Sequence, residues 1–119
     1  MYLKSYKELI IWQKSIDLVK KIYQLTGHFP KDETYGLTSQ MRRAAVSIPS
    51  NIAERYSRKN IKEYIQFLRI SYGSAAELET QLIITKELYK NIDCKNAELL
   101  LEEILKMLNT LMVKLENNN

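Results

Sequence analysis

The chain has 119 residues, enough for one domain around a single hydrophobic core. Three glycines and two prolines, beside abundant Leu, Ile, Lys and Glu, indicate an all-helical protein, and no apolar run approaches the roughly 20 residues of a membrane span. The net charge of +4 is local: from Gln40 to Lys62 six cations face the lone carboxylate of Glu54, a surplus of +5 that leaves −1 for the remainder, and such an excess suits an anionic partner.

The first helix is expected over residues 6–26. Ser5 followed by Glu8 has the spacing of a capping box. Leu9, Trp12, Ile16, Val19 and Tyr23 then form one apolar stripe, and Ile11, Leu18, Ile22 and Leu25 a second. Together they cover about half the circumference, more than the ~100° that one core contact requires. Lys14, Asp17, Lys20, Lys21 and Gln24 take the wet side. Gly27 is a natural stop, followed by the loop His28 to Asp32.

The second helix, over residues 34–56, carries three different sides. Leu37, Met41, Ala44, Ile48 and Ile52 form its apolar stripe. Gln40, Arg43, Ser47, Asn51 and Glu54 form a polar stripe, read as a buried hydrogen-bond ladder in which Arg43 pairs with a carboxylate such as Glu77 or Glu79. A polar substrate site is the other reading of the same residues. Ala45, Val46, Pro49 and Ala53 leave the remaining side small and uncharged. Pro49 removes the bond to the Ala45 carbonyl, so a kink is expected near it. The apolar stripe continues in register past it, which argues against a helix end. Ser47 and Ser50 stand where they can satisfy the loosened groups.

Asn60 with Glu63 opens the third helix, residues 61–90. Its expected seam is Ile61, Tyr64, Leu68, Tyr72, Ala75, Leu78, Leu82 and Tyr89. Gly73 sits in a small-residue patch there, so close approach by the Ala44–Ala45 region is expected to offset its helix penalty. Asp93 caps the fourth helix, residues 94–115, with the heptad-like seam Ala97, Leu101, Ile104, Leu108, Leu111 and Leu115. Short connections make the helices antiparallel neighbours in an up-down four-helix bundle.

Chemistry is sparse. His28, the single histidine, lies in a loop, and Cys94 has no base near it in sequence. Glu-x-x-His pairs, glycine-rich phosphate loops and zinc spacing are absent, so no catalytic residue, metal or cofactor is expected. A lone cysteine and an N-terminus without a signal-peptide pattern are expected of a cytoplasmic protein. Arg42, Arg55, Arg58, Lys59 and Lys62 are the candidate contacts to RNA or DNA phosphates, with Tyr56 and Tyr64 near enough to stack on bases. An ordinary solvated helix end is the alternative reading of those cations. The surplus apolar arc of the first helix and the small flank of the second are candidate subunit interfaces.

Two stretches, IIWQKSIDLVKKIYQLTGHFPKDETYGLTSQMRRAAVSIPSNIAE and KEYIQFLRISYGSAAELETQL, closely resemble the bacterial four-helix-bundle family of 23S rRNA intervening-sequence proteins. The motifs fall in order from Trp12-Gln13-Lys14 through Tyr35-Gly36-Leu37, Arg42-Arg43-Ala44 and Ser47-Ile48-Pro49 to Gly73-Ser74. Where the family pattern has glycine after Ala-Glu, this chain has Arg55, which adds charge at the turn. A similar fold occurs in the accessory protein of diversity-generating retroelements, a ring-shaped pentamer that engages a reverse transcriptase and nucleic acid. The resemblance therefore implies a homo-oligomer, a pentamer, with RNA or DNA and a reverse transcriptase as the partners to test.

Overall fold

The computed structural model describes residues 5–56 and 60–117, apart from the side chain of Arg55. Among these residues are the helices α1 (Ile10–Thr26), α2 (Leu37–Tyr56), α3 (Ile61–Leu88) and α4 (Lys95–Asn117), with single 3-10 turns at Tyr6–Glu8 and Lys31–Glu33. Each helix packs on the next and α4 closes against α1, which gives the up-down bundle expected from the short connections. The particle measures 45 × 24 × 22 Å, so α3, at 28 residues, nearly spans its long axis.

The start of α1 departs from the expected continuous helix. Ser5 Oγ accepts the Lys7 N–H at 3.1 Å, but the turn it caps ends at Leu9, whose backbone is extended. The cause is geometric. Leu9 stands nine residues before Leu18, about two and a half turns, so an unbroken helix would point it away from the core. The break lets it pack against the core cluster. Beyond it, Ile11, Ser15, Leu18, Ile22 and Leu25 are buried, while Trp12, Ile16 and Val19 are half-buried and Tyr23 is exposed.

Helix α2 buries Met41, Ala44, Ala45, Ile48 and Ile52 and runs through Pro49 without ending. Hydroxyl and amide groups supply extra bonds around the proline turn. Ser50 Oγ donates to the Val46 carbonyl at 2.8 Å, Asn51 Nδ2 to the Ser47 carbonyl at 2.8 Å, and Ser71 Oγ of α3 to the Ile48 carbonyl at 3.0 Å.

Asn60 Oδ1 caps α3 by accepting the Lys62 N–H at 2.8 Å. The buried seam is Ile65, Leu68, Ser71, Ala75, Leu78, Gln81, Leu82 and Thr85, rotated from the expected one. Tyr64 and Tyr72 are only half-buried. Polar positions replace them because each hydroxyl finds a carbonyl: Ser71 that of Ile48, Thr85 that of Gln81 at 2.9 Å. At the start of α4, Asp93 Oδ1 accepts the Lys95 N–H at 3.0 Å. Its seam follows Ala97, Leu101, Ile104 and Leu108, then passes to Met112 rather than Leu111.

Gly73 does not mark a close helix approach. A Cβ built there meets nothing within 4 Å, and the near contacts between α2 and α3 fall at Ser71 and Ser74 instead. Gly73→Ala is therefore expected to stabilise the chain by up to about 1 kcal/mol, read as a higher urea midpoint. A loss of stability would mean that another molecule packs against that position.

Candidate functional site

Of the five expected phosphate contacts, Arg42 is already committed within the fold. Its Nε donates to Thr26 Oγ1 at 2.9 Å and its Nη2 to the Tyr23 carbonyl at 3.4 Å, and the guanidinium lies 4.4 Å from the centre of the Tyr23 ring. These groups form the last turn of α1, where the helix dipole is negative, and the Tyr23 carbonyl there also accepts the Gly27 N–H at 3.1 Å. Arg42 thus ties α2 to the end of α1. Lys62 is exposed in the first turn of α3. Arg58, Lys59 and the side chain of Arg55 lie outside the described residues.

The polar stripe of α2 is not a buried ladder. Gln40, Arg43 and Glu54 are exposed; Ser47 and Asn51 alone are half-buried. Ser47 Oγ accepts from Asn51 Nδ2 at 3.0 Å and from Ser74 Oγ at 2.8 Å. Arg43 makes no ion pair among the described residues, and Glu77 instead accepts from Gln81 Nε2 at 3.3 Å. The physical reason is the small size of what faces the stripe. Ser71 and Ser74 bring α3 within a hydroxyl's reach of α2, which leaves no room for a guanidinium between them, so the long side chains swing to solvent.

The surplus arc of α1 and the uncharged flank of α2 meet in one groove. Tyr6, Trp12, Ile16, Val19, Val46, Pro49, Ser50 and Ala53 line a volume of about 310 Å³ without a charged residue. Trp12 packs edge-on against Tyr6 with ring centres 5.3 Å apart, and Val46 is 40% exposed. A surface so free of charge is unusual for an exposed face.

At the opposite end of the bundle, Glu33 performs a role that sequence spacing left unassigned. Its Oε1 accepts the Leu37 N–H at 3.2 Å and so caps α2, while its Oε2 accepts the Tyr89 hydroxyl at the end of α3. A Cβ at Gly36 would stand 3.0 Å from Glu33 Oε1, so any larger residue there would make the carboxylate shift by a few tenths of an ångström. Phe29 and Tyr89 pack with ring centres 5.5 Å apart, whereas Tyr35 is 94% exposed. The bond to Glu33, reinforced by burial, raises the Tyr89 phenol above its usual 10.0. A raised folded pKa means the contribution is complete below about pH 10 and fades as pH rises through the folded value. The stability gap between wild type and Tyr89→Phe should therefore shrink in alkaline urea titrations, and a gap independent of pH would rule this coupling out.

Burial holds Cys94 in its thiol form, with Glu98 and Asp93 adding to the upward shift. Among the described residues no group of three or more His, Cys, Asp and Glu is placed to hold a metal, and no helix is long and apolar enough to cross a membrane.

The sequence profile described as 23S rRNA-intervening sequence protein matches residues 7–110. No curated protein matches the chain. Among solved structures, the fold is similar to a crystal structure of a protein of unknown function from the S23 ribosomal protein family of Bacteroides thetaiotaomicron. The TM-score is 0.76 at 20% identity, covering 87% of this chain and 98% of that one.

Proposed function

Because the chain belongs to the family of 23S rRNA-intervening sequence proteins, we propose that it is a non-enzymatic, cytoplasmic scaffold that assembles into a homo-oligomer and binds RNA. The observation that carries assembly is the uncharged groove between α1 and α2, lined by Trp12, Val19, Val46 and Pro49. A second copy would remove that surface from water. RNA binding draws support from the charge of the segment that joins α2 to α3, with Arg55, Arg58, Lys59 and Lys62 close together in sequence. Repetition of that segment around an oligomer multiplies phosphate contacts without any new residue.

Light scattering and RNA titration test this together. Wild type is expected at a multiple of 14.0 kDa, with RNA affinity falling steeply as salt rises. Val46→Asp, at an exposed position of the single chain, is expected to keep helicity while reducing the mass to 14.0 kDa and weakening RNA binding. Wild-type protein that stays at 14.0 kDa when concentrated would end the proposal.

A second reading is a protein–protein adaptor that docks a partner, such as a reverse transcriptase, with no nucleic-acid affinity of its own. Support for it comes from a larger apolar groove between the first turn of α1 and the C-terminal half of α4, about 630 Å³ in volume. A partner that co-purifies from the native cell and survives nuclease treatment favours this reading.

A further inference from the structure

We infer that the α1/α4 groove docks an amphipathic helix of another protein, one whose apolar residues are flanked by carboxylates. This rests on the adaptor reading and adds the chemistry of the occupant. The floor is apolar: Leu9 and Ile11 on one wall, Met107 and Leu111 on the other, with Ile10 standing 61% exposed at the mouth. Met107 is unbranched and adapts its shape to what it meets.

The charge at the rim selects the occupant. Lys106 and Lys114 stand on the α4 side, and the lone carboxylate of the lining is Glu8. Lys114 makes no ion pair among the described residues. Lys106 reaches Glu102 at 3.3 Å, but both side chains are more than half exposed, so that pair is weak and readily exchanged. The first turn of α1 adds to the same preference. Its N-cap, Leu9, makes no side-chain cap bond, and the first turn contains no acidic residue, so the positive end of the helix dipole favours a carboxylate nearby beyond the one that Glu8 supplies. Two lysines and an uncapped helix start therefore all favour negative charge.

The occupant is a helix rather than an extended segment for a backbone reason. Neither wall offers a sheet edge, so a docking chain must satisfy its own main-chain hydrogen bonds. Met107 and Leu111, with Lys106, Thr110 and Lys114 beside them, repeat at three- and four-residue intervals and form ridges of the kind that receive another helix.

The test uses the full chain and two fluorescein-labelled helical peptides with leucines at i, i+4 and i+7. One carries Glu at the flanking positions, the other Lys. Fluorescence anisotropy is expected to show the Glu peptide binding at least about tenfold more tightly at low salt, with the preference narrowing as salt screens the rim. The double substitution Lys106→Glu and Lys114→Glu should invert that preference, and Ile10→Asp should weaken both peptides. All three positions are solvent-facing, and circular dichroism of each variant verifies that the bundle is intact. Equal binding of the two peptides would overturn the charge rule while leaving the adaptor reading standing. Failure of both peptides to bind would overturn both. A change in oligomer mass on Ile10→Asp would make the occupant a second copy of this chain and would also overturn the inference.

Discussion

Ile48→Ala is expected to destabilise the protein by about 2–5 kcal/mol, toward the upper end of that range. Ile48 is fully buried at the centre of α2, the helix that packs against α1, α3 and both 3-10 turns. The cost of such a truncation depends on how far the surroundings can collapse into the space left behind. Here collapse is restricted. The Ile48 carbonyl accepts the Ser71 hydroxyl at 3.0 Å, which pins its turn to α3, and Pro49 fixes the next backbone angle. Domains of this kind are stable by only about 5–15 kcal/mol in total, so the variant should lose a large share of its urea midpoint. A loss below about 1 kcal/mol would mean that the α2/α3 contact is looser than the Ser71 bond implies.

Periodicity made the gross architecture legible, and the reason lies in particular side chains. Met41, Ala44, Ile48 and Ile52 recur at helical spacing and have one place to go, so their stripe is the core stripe. Asn60 and Asp93 announce the starts of α3 and α4 through local bonds to backbone N–H groups two residues ahead, which depend on no distant partner. The seam of α3 was less legible. Ser71 and Thr85 are buried because carbonyls lie within reach of their hydroxyls, and those carbonyls are found by folding, not by spacing. The Leu9 break belongs to the same class, since it depends on where the core lies relative to the 3-10 turn.

The candidate site was harder still, because a cation reads the same in sequence whether it is spent or free. Glu33 gives no signal in its spacing that its carboxylate will accept the Leu37 N–H at the start of α2. Arg42 and Arg43 are adjacent, and spacing assigned Arg43 to the interior and Arg42 to an anionic ligand. Helical geometry turns consecutive residues by about 100°, so one of the pair can lie against α1 while its neighbour points to water. The structure reverses the two assignments: Arg42 is half-buried and bonded, and Arg43 is exposed.

That reversal has a measurable consequence. Arg42→Ala should cost about 1.5–3 kcal/mol, the range for hydrogen bonds made by a charged donor. Its guanidinium donates to Thr26 Oγ1 and to the Tyr23 carbonyl and covers the Tyr23 ring, so one truncation strips three contacts from the end of α1. Thr26 already gives its own hydrogen to the Ile22 carbonyl at 2.7 Å, so its oxygen would be left without a donor in a buried position. Arg43→Ala should fall within about 0.5 kcal/mol of wild type, as an exposed side chain without an ion pair. Arg42→Lys should lie between, since an ammonium keeps the charge near the negative helix end but cannot reproduce the planar donor set stacked on Tyr23. Urea unfolding of the three variants orders them directly. If Arg43→Ala were the costlier change, the guanidinium of Arg43 would have to be buried against a carboxylate after all, and the packing of α2 on α3 through Ser47 and Ser74 would be wrong with it.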